Sequence, residues 1–191
     1  MRQFAFLIFI LAFFCSSCAL TPQQVNIKPD VQVRSTNIGQ NKKITLTTVD
    51  ERLSSTIGNR GVAGFGADIT SAGDVAQIVE SAIIEGLNKQ GFDTSGSLES
   101  DPRELRVEIR NLEYSLKPGI FTGTLRTECA LKGICNINGK RQYEHLYRGG
   151  SEEQVLVAQF AEENANHINK ALTQVIVELL DDSNLTSCLA D

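Results

Sequence analysis

The chain has 191 residues, 41% of them hydrophobic and 21% charged, enough for one domain with a real core and too ordinary a mixture for disorder throughout. Its formal net charge of -5 argues against nucleic acid as the main partner, because phosphate binding needs clustered Lys and Arg. With no Trp and three Tyr, stacking platforms for bases or sugars are scarce.

Residues 1–17 carry a single charge, Arg2, and the run from Phe4 to Phe14 holds no polar residue. This is the positive start and apolar stretch of a signal peptide, shorter than the roughly 20 residues needed to span a bilayer. No later stretch approaches that length. Ser16 and Ser17 supply the small residues that signal peptidase requires, so cleavage is expected between Ser17 and Cys18. Cys18 then becomes the N-terminus and takes diacylglycerol on its thiol, and an acyl chain such as palmitate on its amine. Two or more chains anchor a protein stably, where one binds reversibly. The position three before the cysteine, usually Leu in a lipobox, is Cys15.

Two other readings compete at this terminus. Cys15-Ser-Ser-Cys18 has redox spacing, but a redox pair opens a helix inside a folded domain and does not close a signal peptide. An ordinary signal peptide cleaved nearby would leave no anchor. The terminus resembles the sorting signal of Gram-negative lipoproteins, in which Asp after the cysteine retains a protein in the inner membrane. Ala19 stands there, which implies the outer membrane with the domain facing the periplasm.

Residues 18–30 read as a lipidated tether or the entry to a first strand, with Val25, Ile27, Val31 and Val33 alternating along a sheet edge. Residues 31–182 read as the domain and 183–191 as a short tail. Ile44 to Arg52 is the first clear strand, rich in β-branched residues. Gly58 to Gly73 follows. Gly64-Phe65-Gly66 lacks the third glycine of a dinucleotide cradle, so this stretch reads as a loop, and Gly58, Gly61, Gly64, Phe65 and Gly66 are the candidate interaction residues. The spacing of Val75, Ile78, Val79, Ala82, Ile83 and Leu87 predicts a helix over 74–90, with Gly91 just beyond its end.

Leu105, Val107 and Ile109 alternate in one phase and Leu112, Tyr114 and Leu116 in the other, so a β-bulge at Arg110-Asn111 would return both sets to one face. Thr124 to Ile137 and Arg141 to Arg148 read as two strands joined at Asn138-Gly139. A three-residue loop with Gly139 left-handed sets Cys129 and Leu131 beside Tyr147 and His145 on one buried face, and is preferred to a two-residue loop for that reason. Cys129 and Cys135 then lie about 20 Å apart on one strand at roughly 3.3 Å per residue, too far for a mutual disulfide unless Lys132-Gly133 is the turn. A bond from either to Cys188 stays open. The spacing of Ala165, Ile168, Leu172, Val175 and Leu179 predicts a last helix over Glu162–Leu180, with Glu152, Glu153, Glu162 and Glu163 on its approach. The sum is a single α+β domain, a mostly antiparallel sheet with two helices packed on one face.

No catalytic motif emerges. His145 and His167 stand outside any spaced metal pattern, the adjacent pairs Asp50-Glu51 and Glu152-Glu153 would point to opposite faces of a strand, and a Cys129–His145 nucleophile has nothing else to support it. No metal or cofactor is expected. Cys18, Val49-Asp50-Glu51-Arg52, Gly58, Leu87-Asn88-Lys89-Gln90-Gly91-Phe92, Asn138-Gly139 and a terminal helix bearing Asn164, Asn166, Asn169 and Leu172 together resemble the YajG-type lipoproteins of proteobacteria. The resemblance covers most of the chain after Cys18 and carries over no catalytic residues. Three functions follow as expectations: a non-catalytic accessory module binding an envelope protein or complex, a carrier of a small apolar ligand or lipid, and an enzyme acting on cell-wall material.

Overall fold

The computed structural model describes residues 21–62, 65–95, 102–119, 122–156 and 160–191. Seven strands form one open sheet: β1 (Gln23–Val25), β2 (Thr45–Asp50), β3 (Thr56–Val62), β4 (Phe65–Ser71), β5 (Arg103–Pro118), β6 (Thr122–Ile137) and β7 (Lys140–Leu156). The spatial order is β1-β4-β3-β5-β6-β7, and β2 shares with β3 one edge of β5. The β3–β4, β5–β6 and β6–β7 pairs are antiparallel; β1–β4, β2–β5 and β3–β5 are parallel. Three helices, α1 (Val75–Lys89), α2 (Ala161–Asp181) and α3 (Ser183–Ala190), contribute to one continuous core against this sheet.

The bulge lies where the alternation of the sequence breaks. Ile109 pairs with Leu131 and Asn111 with Ala130, leaving Arg110 unmatched. Leu105, Val107 and Ile109 before it, and Leu112 and Tyr114 after it, are all buried. The β6–β7 turn differs from expectation in its mechanism. Asn138 and Gly139 both have positive φ, 53° and 71°, as a two-residue mirror-image turn requires. Gln142 is then skipped, because Asn136 pairs with Arg141 and Cys135 with Tyr143. A tight turn plus a bulge thus produces the odd-with-odd register, Leu131 opposite Tyr147, that a three-residue loop would also give. His145 is not buried as expected; it is exposed, with its ring 4.8 Å from that of Tyr147.

Two segments depart from the sequence reading, and a third, read as a tether or the entry to an edge strand, is the strand. The glycine-rich stretch is a β-hairpin and not a loop: β3 and β4 pair from Thr56 opposite Thr70 to Val62 opposite Phe65. Gly58 sits where β3 meets β5, and a Cβ there would collide with the Tyr114 carbonyl oxygen. The segment before Val31 enters the sheet as β1, with Val25 and Ile27 buried, and then runs beside α2, where the Lys28 N–H donates to Asn169 Oδ1 at 2.8 Å. The last residues, read as a tail, form α3. Asp182 caps it through the N–H groups of Asn184 and Leu185, and Leu185 and Leu189 are buried.

The C-terminal turn of the domain is held twice. Cys135 and Cys188 form a disulfide across 53 residues of chain. Beside it, the Tyr143 and Tyr147 hydroxyls donate to Asp182 Oδ2 at 2.8 and 2.6 Å. Desolvation pushes the Asp182 carboxyl upward, but the two phenols and the capping N–H groups outweigh it and hold it below the usual carboxylate range.

Gly58→Ala should lower unfolding stability by about 1–3 kcal/mol in a denaturant titration, because the backbone of β5 must move to admit the methyl group; an unchanged midpoint would contradict the contact. Removing the disulfide with Cys135→Ser should cost about 4 kcal/mol by chain entropy, read in the same titration. The stabilisation from Asp182 is present above the unfolded carboxylate value near 4 and is lost as pH falls through the lower folded one, so Asp182→Asn should flatten the acid limb of the stability profile.

Candidate functional site

The helices cover one face of the sheet, which leaves two places where chemistry or recognition can reach it: the opposite face, and the notch between β2 and β3 along the edge of β5. The outer face is built by the residues that alternate with the core. Glu104, Arg106, Glu108, Glu113 and Lys117 stand on β5, Arg126, Glu128 and Lys132 on β6, and Glu144, Arg148 and Glu152 on β7. They interleave by sign. Arg106 and Arg110 both reach Glu108 at 3.1 Å, and Lys132 reaches Glu144 across strands at 2.9 Å. Exposed pairs of this kind contribute about 0–1 kcal/mol each, so they pattern the surface more than they hold the fold.

On β5, β6 and β7 this face dips into an open depression of about 870 Å³. Arg110, Arg126 and Arg148 line it together with Glu128 and Glu152. Three guanidiniums share this concavity with two carboxylates, and Arg110 and Arg126 are ion-paired to Glu108 and Glu128. Each is planar, permanently charged and suited to carboxylate recognition.

The notch holds a buried guanidinium paired with a partly exposed carboxylate. Arg52 Nε and Nη2 donate to the two Asp50 oxygens at 2.9 and 2.7 Å, and the Arg52 side chain is 6% exposed. Its Nη1 is buried without a hydrogen-bond partner. The guanidinium holds the Asp50 carboxyl below its usual range. It also lies near Cys129, where burial pushes the thiol up to about 12 against the opposing charge of Arg52. Sequence reasoning paired Asp50 with Glu51 and passed over Arg52, although alternation sets residues 50 and 52 on the same side of an extended chain.

The sequence-derived candidates are dispersed. Ser17, Cys18 and Gly64 lie outside the described residues. Gly58, Gly61, Phe65 and Gly66 belong to β3 and β4 and not to a free loop. Cys129 and His145 are not a pair: Cys129 faces Gly149 and His145 faces Gly133, four residues further along, about 13 Å at roughly 3.3 Å per residue. His167 Nδ1 lies 3.8 Å from Glu153, which also holds Lys170. Among the described residues no group of His, Cys, Asp and Glu is arranged to hold a metal ion, and no helix is long and apolar enough to cross a membrane.

A family profile described as "Uncharacterized lipoprotein" matches residues 29–190. The chain belongs to this lipoprotein family. Among solved structures, it is similar to a Xanthomonas campestris protein of the DUF330 family, at 15% identity and a TM-score of 0.56 over 88% of this chain and 95% of that one. That likeness shows a shared fold. A minor lipoprotein from Acinetobacter baumannii aligns at 15% identity and a TM-score of 0.48 over 78% of this chain and 91% of that one, too slight a likeness to argue from. Comparison with curated proteins gives no match.

The state of Cys129 in this lipoprotein can be checked directly. Because its thiol stays protonated to about 12, Cys129 should resist iodoacetamide at pH 8 in the folded protein and react after guanidinium unfolding, as read by peptide mass. Rapid labelling of the native protein would contradict its burial.

Proposed function

We propose that this lipoprotein is a non-catalytic accessory module, held by acyl chains on Cys18 at the periplasmic face of the outer membrane, whose helix-free sheet face receives an acidic patch of an envelope protein. The observation that carries this reading is the depression on the face that the helices leave uncovered, where Arg110, Arg126 and Arg148 outnumber the lining carboxylates Glu128 and Glu152 and Arg148 is ion-paired to neither. Membership of a lipoprotein family supports the anchor. The Cys135–Cys188 disulfide supports an oxidising compartment, since such bonds persist outside the reducing cytosol. The lipid-carrier reading has less support: Ile83, Leu87, Leu105, Leu131, Leu172 and Val175 fill the space between helices and sheet with side chains at most 1% exposed.

Site-specific photo-cross-linking in cells tests the assignment. A photoreactive residue replacing Glu113 or Leu146 on the sheet face should give a discrete adduct, one replacing Asn166 or Glu178 on the helix side should give none, and Arg126→Glu should abolish the adduct. Equal adducts from both sides, or adducts indifferent to Arg126→Glu, would overturn it.

A further inference from the structure

One row of paired residues crosses six strands: Gln23 on β1, Ile69 on β4, Gly58 on β3, Tyr114 on β5, Thr127 on β6 and Ser151 on β7. From this row the strands run to a common end. β3 ends four residues on at Val62 and β5 four on at Pro118, β4 begins four back at Phe65, β6 begins five back at Thr122, and β7 ends five on at Leu156. β1 is parallel to β4, so the chain before Gln23 leaves toward that same end. Five residues separate Gln23 from Cys18, a reach of at most about 17 Å, equal to the height of the strand ends above the row. The cysteine that would carry lipid can therefore come level with the strand ends.

Two large apolar side chains are exposed at that end: Leu156 is 67% exposed and Phe160, which opens α2, is 77% exposed, with Glu162 and Glu163 in the helix turn that follows. The opposite end, about 50 Å away along strands of 16 residues at roughly 3.3 Å per residue, turns through Asn138-Gly139-Lys140-Arg141, a polar and cationic hairpin. Of the four large hydrophobic side chains exposed among the described residues, Leu156 and Phe160 stand at the end toward which the chain leaves, while Leu53 lies between β2 and β3 and Ile38 lies before β2.

We infer that the end of the sheet bearing Leu156 and Phe160 is the surface the domain rests on the bilayer, with these two side chains seated in the headgroup layer beside the acyl chains of Cys18. The inference rests on the anchored reading given above. It sets the strands along the membrane normal and turns the Arg110–Arg126–Arg148 face sideways into the periplasm, accessible to a protein and clear of the lipid. Apolar side chains at such a contact enter about 5–10 Å into the boundary between headgroups and acyl chains.

The chain has no Trp, so single tryptophans report without background. The experiment uses the acylated full chain, its acyl mass verified, in phosphatidylcholine vesicles with and without brominated phosphatidylcholine. Leu156→Trp and Phe160→Trp should emit blue-shifted and lose most of their intensity to the brominated lipid, while Arg141→Trp at the far hairpin should keep its intensity and be quenched by acrylamide. Acylated Leu156→Trp and Phe160→Trp proteins that respond like the Arg141→Trp protein would overturn the inference and leave the anchor standing. A blue shift without bromine quenching would mean contact with protein and would overturn it too. A chain without acyl mass would remove the anchored reading and this orientation with it.

Discussion

The side chain of Asn164 joins the layers of this domain at one point. It is 1% exposed, accepts the Tyr114 hydroxyl at 2.7 Å and donates to Gln23 Oε1 at 2.7 Å. One residue of α2 is thereby bonded to the central strand and to the first strand. A buried amide left half-satisfied costs about 1–3 kcal/mol, so the three side chains specify one another's positions. The short β1, only three residues long, depends on that specification, because three ladder positions are too few to fix its register alone. The direction in which the chain before Gln23 leaves the fold follows from β1.

Much of this frame was legible in the residues. The bulge at Arg110 could be read because alternation has a period of two, and an extra residue must appear as a change of phase. The stripes of α1 and α2 were readable for the same kind of reason, with Gly91 marking the end of the first. The glycine-rich hairpin was not readable, since glycine carries no apolar pattern and reads locally as a turn; its strands are imposed by pairing, with Gly58 admitting the close approach of β5. The β6–β7 register was right for the wrong mechanism, because nothing local distinguishes a longer loop from a tight turn followed by a bulge at Gln142. The third helix was missed because Asp181-Asp182-Ser183-Asn184 signals an end. Asp182 closes one helix and caps the next, and Leu185 and Leu189 at a spacing of four were the available sign.

The candidate site was the least legible part. Arg110, Arg126 and Arg148 are far apart in sequence and meet only because three long strands pair side by side. Arg52 lies two residues from Asp50, yet its burial depends on the gap that opens where β2 stops and β3 begins. Alternation tells which residues leave the core; it does not tell which of them converge. In physical terms, one face of the sheet is closed by helices and a disulfide-held C-terminus, one end carries the exposed Leu156 and Phe160 and the chain entry, and the remaining face is charged.

Everything assigned to this lipoprotein depends on attachment through Cys18, and intact mass with membrane fractionation of the wild type beside Cys18→Ala tests that directly. The account predicts a wild type that begins at Cys18, carries acyl mass and sediments with outer membrane, and a variant that stays unprocessed or becomes soluble. Wild type and variant behaving alike, without acyl mass, would contradict it.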